Sequence, residues 1–197
     1  MYSWEALPLC RLKPSGMVST AFLNLATSAL RAAGQQVCEL PYGRNSNPDD
    51  PLTVLTEQRG TCSTKHALLR RLAIEQRIDL VLMLGIYEMN ERNTPGVGAI
   101  LERHRLKALP EAHCYLRLGN KRIDVTRQRA SDLEPISYFL HEEEIAPNQI
   151  TLYKIDVHKT FLQHWMAEGR GEGEMTLAST WAIREECIAA LSLQAIS

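Results

Sequence analysis

The feature that most limits what this chain can fold into is a hairpin signature, in which His113-Cys114-Tyr115-Leu116-Arg117-Leu118 is followed by Gly119-Asn120 and then Lys121-Arg122-Ile123-Asp124-Val125-Thr126. A Gly-Asn pair between two runs of strand formers favours a two-residue turn, because glycine enters positive φ without a Cβ clash. Counting outward from that turn, Leu118 faces Lys121, Arg117 faces Arg122, Leu116 faces Ile123 and Tyr115 faces Asp124. Side chains alternate along a strand, so His113 shares a face with Tyr115 and lies diagonally from Asp124. A one-residue slip would send Asp124 to the other face. Asp124 stands between Ile123 and Val125, where an unpartnered carboxylate is costly if buried, and an imidazole on the same face supplies a partner.

The rest of the chain arranges itself around that hairpin. Residues 17–33 carry apolar and small residues at helical spacing and stop at Gly34, which predicts a first helix. Residues 41–51 hold Gly43, prolines, asparagines and aspartates and read as an exposed loop. Residues 62–76 suit a mostly buried helix through Ala67, Leu68, Leu72 and Ala73, and residues 80–89 form a continuous apolar run of interior-strand type. Turn chemistry fills 90–98, and a short helix is predicted over 99–108. A further strand is predicted over 151–157, with a helix from His158 onward, a flexible link at Gly169-Arg170-Gly171-Glu172-Gly173 and a last amphipathic helix over 175–195. Glu142-Glu143-Glu144 reads as a solvated acidic run. The outline is α+β: N-terminal helices packed on an antiparallel sheet, then C-terminal helices.

Within this outline Cys62 opens the second long helix. Unpaired N–H groups and the partial positive charge of a helix start lower a thiol's pKa there, and Thr61 occupies the N-cap position after Gly60. A free cysteine is otherwise a small buried hydrophobe. Set beside the hairpin, Cys62 gains a base in His113, with Asp124 to fix the tautomer and favour the imidazolium. Gln58, four residues earlier, can offer an amide N–H to an oxyanion beside the Cys62 backbone N–H. His66, one turn along the helix, competes as a base but has no evident carboxylate partner. Lys65 and Arg70 can also depress the thiol, although a charged helix face accounts for them more simply.

Bulk properties narrow the function classes. A chain of 197 residues, 45% hydrophobic and 23% charged, is sized for one domain over 1–197. A net charge of −1 gives no basic field for nucleic acid or anionic lipid. No segment approaches the ~20 apolar residues of a membrane span, and the N-terminus lacks a leader pattern, so a cytoplasmic protein is expected. Five scattered cysteines without CxxC spacing fit neither a disulfide framework nor a zinc site, so no metal or other cofactor is expected. Cys10, Cys38 and Cys187 read as structural.

The segments Gly60-Thr61-Cys62-Ser63-Thr64-Lys65-His66-Ala67, Ala112-His113-Cys114-Tyr115-Leu116 and Ile123-Asp124-Val125-Thr126 together resemble the core of the transglutaminase-like superfamily, with its papain-like Cys-His-Asp arrangement. The resemblance covers about 56–127, followed by a helical extension over about 158–197. It implies a nucleophile at Cys62, a base at His113 and an orienting carboxylate at Asp124. It further implies a cysteine acyl hydrolase or acyltransferase, of amidase or peptidase type, working through a thioester on an amide- or acyl-bearing peptide, protein or small molecule. Ser63 stands where an aromatic commonly follows the nucleophile, and Cys114-Tyr115 stands where a tryptophan is often found. Arylamine N-acetyltransferases are similar in triad chemistry, and Arg59-Gly60-Thr61 partly echoes their motif. The family also includes noncatalytic members that serve as binding modules, which is the alternative reading.

Overall fold

The structure is a computed structural model that describes residues 3–127, 136–169 and 175–194. Its centre is a four-stranded antiparallel sheet in the order β3-β2-β1-β4, with β1 Val81–Met89, β2 Leu109–Leu118, β3 Lys121–Ile123 and β4 His141–Glu144. The hairpin register is the one counted from the turn, with Leu118 opposite Lys121, Arg117 opposite Arg122 and Leu116 opposite Ile123. Gly119 takes the positive φ of 54° that the turn requires, which a side chain would strain.

Helices cover both faces of this sheet. On one face Leu82, Leu84, Ile86, Cys114 and Leu116 pack against α1 Met17–Asn24, α2 Leu30–Glu39 and the central helix α4 Cys62–Glu75; a one-turn α3, Thr53–Thr56, precedes it. On the other face Met83, Tyr87, Met89, Leu109 and Tyr115 meet α5 Gly98–Arg103, α6 Leu152–Ala167 and α7 Leu177–Gln194. Double coverage explains the unbroken apolar run of β1, since alternation appears only where one face meets water. Among the described residues no helix is long and apolar enough to cross a membrane.

Several elements depart from expectation for definable reasons. The predicted helix over 17–33 is two helices. Ala26 turns left-handed with φ 61°, Thr27 closes back on Phe22, and Ala29 bridges Arg11 before α2 begins. Gly34 is therefore no stop; it lies inside α2, where a Cβ would collide with Leu7. The helix expected over 99–108 ends at Arg103, because Arg105 takes φ 57° and Leu106 bonds back to Leu101.

The strand predicted over 151–157 is instead the start of α6. Its inward stripe is Lys154, His158, Leu162 and Trp165, which has helical spacing but begins with two polar residues. Conversely, the acidic run Glu142-Glu143-Glu144 belongs to β4, an edge strand, where charge on the exposed side is tolerated and discourages further pairing. Tyr115 donates a hydrogen bond to Glu142, and Arg122 holds the same carboxylate at 2.9 Å. Gly169 has φ 71°, and Arg170, Gly171, Glu172 and Gly173 of the expected link lie outside the described residues, as does Ala195.

Candidate active site

The site forms where the hairpin opens. In an antiparallel ladder narrow and wide pairs alternate, so beyond Leu116–Ile123 the next mutual hydrogen bonds would join Cys114 to Val125. Val125 instead donates its N–H to His66 Nε2 at 2.8 Å, and Lys65 Nζ donates to Thr126 O at 2.8 Å and to Leu40 O at 2.5 Å. The start of α4 is thus wedged between β2 and the chain leaving β3. The Cys114 backbone N–H instead favours the charged form of the Cys62 thiol.

The wedge fixes the state of His66. Its Nε2 accepts from Val125, so Nδ1 carries the proton and donates to Cys62 O at 2.6 Å. Burial pushes its pKa down to about 4, against the pull of Asp124, whose Oδ1 lies 3.6 Å away. His66 does have a carboxylate neighbour, contrary to expectation, yet both its nitrogens are engaged in holding backbone. Lys65 is likewise no part of a solvated face: it is fully buried and bonded to two carbonyls.

Cys62, His113 and Asp124 come together: the hairpin puts His113 and Asp124 on one face, and α4 brings Cys62 to them. Thr61 caps α4 by accepting from Thr64 N at 3.3 Å, while Thr64 Oγ1 accepts from Thr61 N at 3.0 Å. Cys62 then sits in the first turn, 7% exposed. Gly60 admits the Lys65 and Thr64 side chains where a Cβ would clash. His113 Nε2 lies 2.8 Å from Asp124 Oδ2, its ring is flanked edge-on by His66 and Tyr87, and the Cys62 thiol is near enough for each to favour the other's charged form. With Nε2 on Asp124, Nδ1 is the nitrogen left for sulfur. Asp124 Oδ1 accepts from Thr126 N at 2.9 Å, which holds the carboxylate in place.

Charge follows this geometry. Burial alone would raise the Cys62 thiol, but the cations of Lys154 and His113, with hydrogen bonds from His113 and Cys114, outweigh it and bring the pKa down to about 6. Burial alone would lower His113; Asp124 and the thiolate outweigh that and raise it to about 10. Asp124 is held far below the usual carboxylate range by His113 despite burial. Both shifts favour a thiolate–imidazolium pair at neutral pH. The thiols of Cys38, Cys114 and Cys187 behave oppositely, burial pushing each up to about 11.

Gln58 does not join the site. It is exposed on a left-handed residue with φ 52°, and its amide donates to Leu55 O, closing the end of α3. The cation beside the thiol comes instead from Lys154 on α6, whose Nζ donates to Ser63 Oγ at 2.8 Å and lies 3.7 Å from Cys62 Sγ. Glu111 and Arg184, a buried bidentate pair at 2.7 and 2.8 Å, complete the polar surroundings. The helical spacing of Lys154, His158, Leu162 and Trp165 marks Lys154 as inward-facing but carries no sign that it meets Cys62.

Cys62 opens on two cavities. One of about 100 Å³ is lined by His113, Asp124, Met89, Pro95 and Leu191; the other, of about 510 Å³, is lined by Ser63, Lys154, His158, Trp181 and Arg184. Tyr42, Arg44, Asn45 and Pro48 from one loop, and Asn93, Thr94 and Pro95 from another, contribute walls. In comparisons with known proteins, no family model, no curated protein and no solved structure matches this chain.

Proposed function

We propose that the chain is a transglutaminase-like cysteine acyl hydrolase or acyltransferase of amidase or peptidase type, cytoplasmic, acting on an amide- or acyl-bearing substrate. The observation that carries this reading is Cys62 at the start of α4 against His113, with the other ring nitrogen of His113 2.8 Å from Asp124. A buried thiol surrounded by apolar groups alone would be raised, as the other buried thiols are.

In this scheme the Cys62 thiolate attacks the substrate carbonyl, forming an S–C bond as the carbonyl π pair moves to oxygen. When that pair returns, the bond to the leaving group breaks and the leaving group takes the proton from His113. Water or an amine then gives a proton to His113 and attacks the thioester, and Cys62 departs as thiolate. Asp124 holds the ring throughout and stays ionised. The N–H of Cys62, which takes no acceptor among the described residues, is available to the oxyanion.

Iodoacetamide labelling across pH, with adducts mapped by mass spectrometry, tests the reading. Cys62 is expected to react with a midpoint near 6 and faster at pH 7 than the other four thiols, and His113→Ala is expected to raise that midpoint. Reaction at the rate of an ordinary exposed thiol, unchanged by His113→Ala, would leave the noncatalytic binding module as the better account.

A further inference from the structure

Lys154 is 7% exposed, and among the described residues no carboxylate is in ion-pair contact with it; Glu111 attracts it from farther off, and its nearest anion is the Cys62 thiolate. A buried ammonium with no carboxylate in contact is costly unless an anionic state beside it recovers the loss. The resting thiolate is one such state. The tetrahedral intermediate is another, because attack moves the negative charge from sulfur to an oxygen bonded to the same carbon.

We propose that Lys154 is a catalytic residue that stabilises the oxyanion, in the place expected of Gln58. The proposal rests on the acyl-transfer reading. The Lys154 ammonium, already within hydrogen-bonding range of Cys62 Sγ, follows the charge onto oxygen by side-chain rotation, while Ser63 Oγ anchors it. Lys154 keeps its protons throughout; the only proton that moves travels between His113 and the leaving group or acceptor.

The two cavities separate the roles. Lys154 lines the larger and His113 the smaller, with Cys62 between them. The carbonyl oxygen therefore points toward α6, and the leaving group, which must reach the His113 proton, points toward β2. Each cation serves a different atom. Gln58 cannot compete, since its amide is tied to Leu55 and lines neither cavity.

The test uses the full chain with p-nitrophenyl acetate as acylating probe and iodoacetamide as control, because alkylation of the thiolate develops no oxyanion. Acetylation of Cys62 is followed by nitrophenolate release and by mass, from pH 5 to 10, in wild type, Cys62→Ala, Lys154→Met and Lys154→Arg. Lys154→Met is expected to acylate about 100-fold or more slowly, and to stay slow at pH 10 where its thiol is ionised. At that pH it is expected to alkylate as fast as wild type, and Lys154→Arg is expected to recover most of the acylation rate. Should Lys154→Met lose its fold by far-UV circular dichroism, Lys154→Leu, a shorter side chain with no donor to offer an oxyanion, decides the same comparison. A deficit that vanishes at pH 10 would limit Lys154 to ionising the thiol and overturn the oxyanion role. Equal nitrophenolate release by wild type and Cys62→Ala would overturn the acyl-transfer reading, and this inference with it.

Discussion

Val125 donates to an imidazole rather than to its neighbouring strand, and that single exchange of partner sets the state of several residues at once. It frees the Cys114 N–H for sulfur, carries Asp124 past the end of the ladder to reach His113, and obliges His66 to remain neutral. The obligation is measurable. The folded pKa of His66, about 4, lies below the ordinary 6.5, so the folded state binds fewer protons between those values. Its contribution is fully present above pH 6.5 and is lost as pH falls through 4, a change of about 3 kcal/mol. Urea unfolding at pH 7 and pH 4 is expected to show wild type losing that much more stability than His66→Gln. Equal losses would mean that His66 is not held neutral. At this scale His113 and Asp124 were legible as a pair, because strand alternation and a two-residue turn fix their shared face by counting, and Cys62 was legible as a helix start that only the family resemblance joined to them. Lys154, Glu111 and Arg184 were not, since each lies far in sequence from the residue it meets and no local spacing encodes the meeting.

Elements were legible where burial followed hydropathy and misread where it did not. Strand β1 and the part of α4 from Ala67 to Ala73 bury apolar residues in patterns that state their type, whereas the first turns of α4 bury Ser63, Thr64, Lys65 and His66 as well. The start of α6 inverts the pattern: Leu152 is exposed while Lys154 and His158 face inward, so a period read from apolar residues alone gives a strand. The inversion is functional in origin under the proposed chemistry, because the inward polar pair serves the larger cavity. Gly85 in β1 illustrates a different hidden constraint. It sits opposite His113 in the register, and the Phe139 ring lies directly over it while stacking on Tyr115 at 5.1 Å between centroids. A Cβ there would enter the ring. Gly85→Ala is expected to destabilise by about 1–3 kcal/mol through this overpacking, despite the better strand propensity of alanine. Chemical denaturation checks the magnitude, and a variant as stable as wild type would show that Phe139 moves aside at no cost.

At the scale of the molecule, the sheet must be held to the C-terminal helices for the larger cavity to have a second wall. The α+β outline was readable from the order of periodic segments, but the docking of α7 onto β2 includes a long-range pair that no segment announces. Glu111, buried on β2, receives Arg184 of α7 in two hydrogen bonds, and Arg184 also lies over the Trp181 ring. Burial alone would raise Glu111; Arg184 outweighs it and holds the carboxyl at about 2. That value lies below the ordinary 4.5, so the stability Glu111 contributes is fully present above pH 4.5 and is lost as pH falls through 2. Removing one partner is worse than removing both, because it strands a buried charge. Arg184→Met is accordingly expected to cost about 3–5 kcal/mol at pH 7, and Glu111→Gln in the Arg184→Met background to restore part of it. The double variant is also expected to lose less stability than wild type between pH 4.5 and 2, as followed by urea titration. Single and double variants of equal stability would show that the pair does not fasten α7 to the sheet, and that apolar contacts of Ile183, Cys187, Ile188 and Leu191 hold the wall unaided.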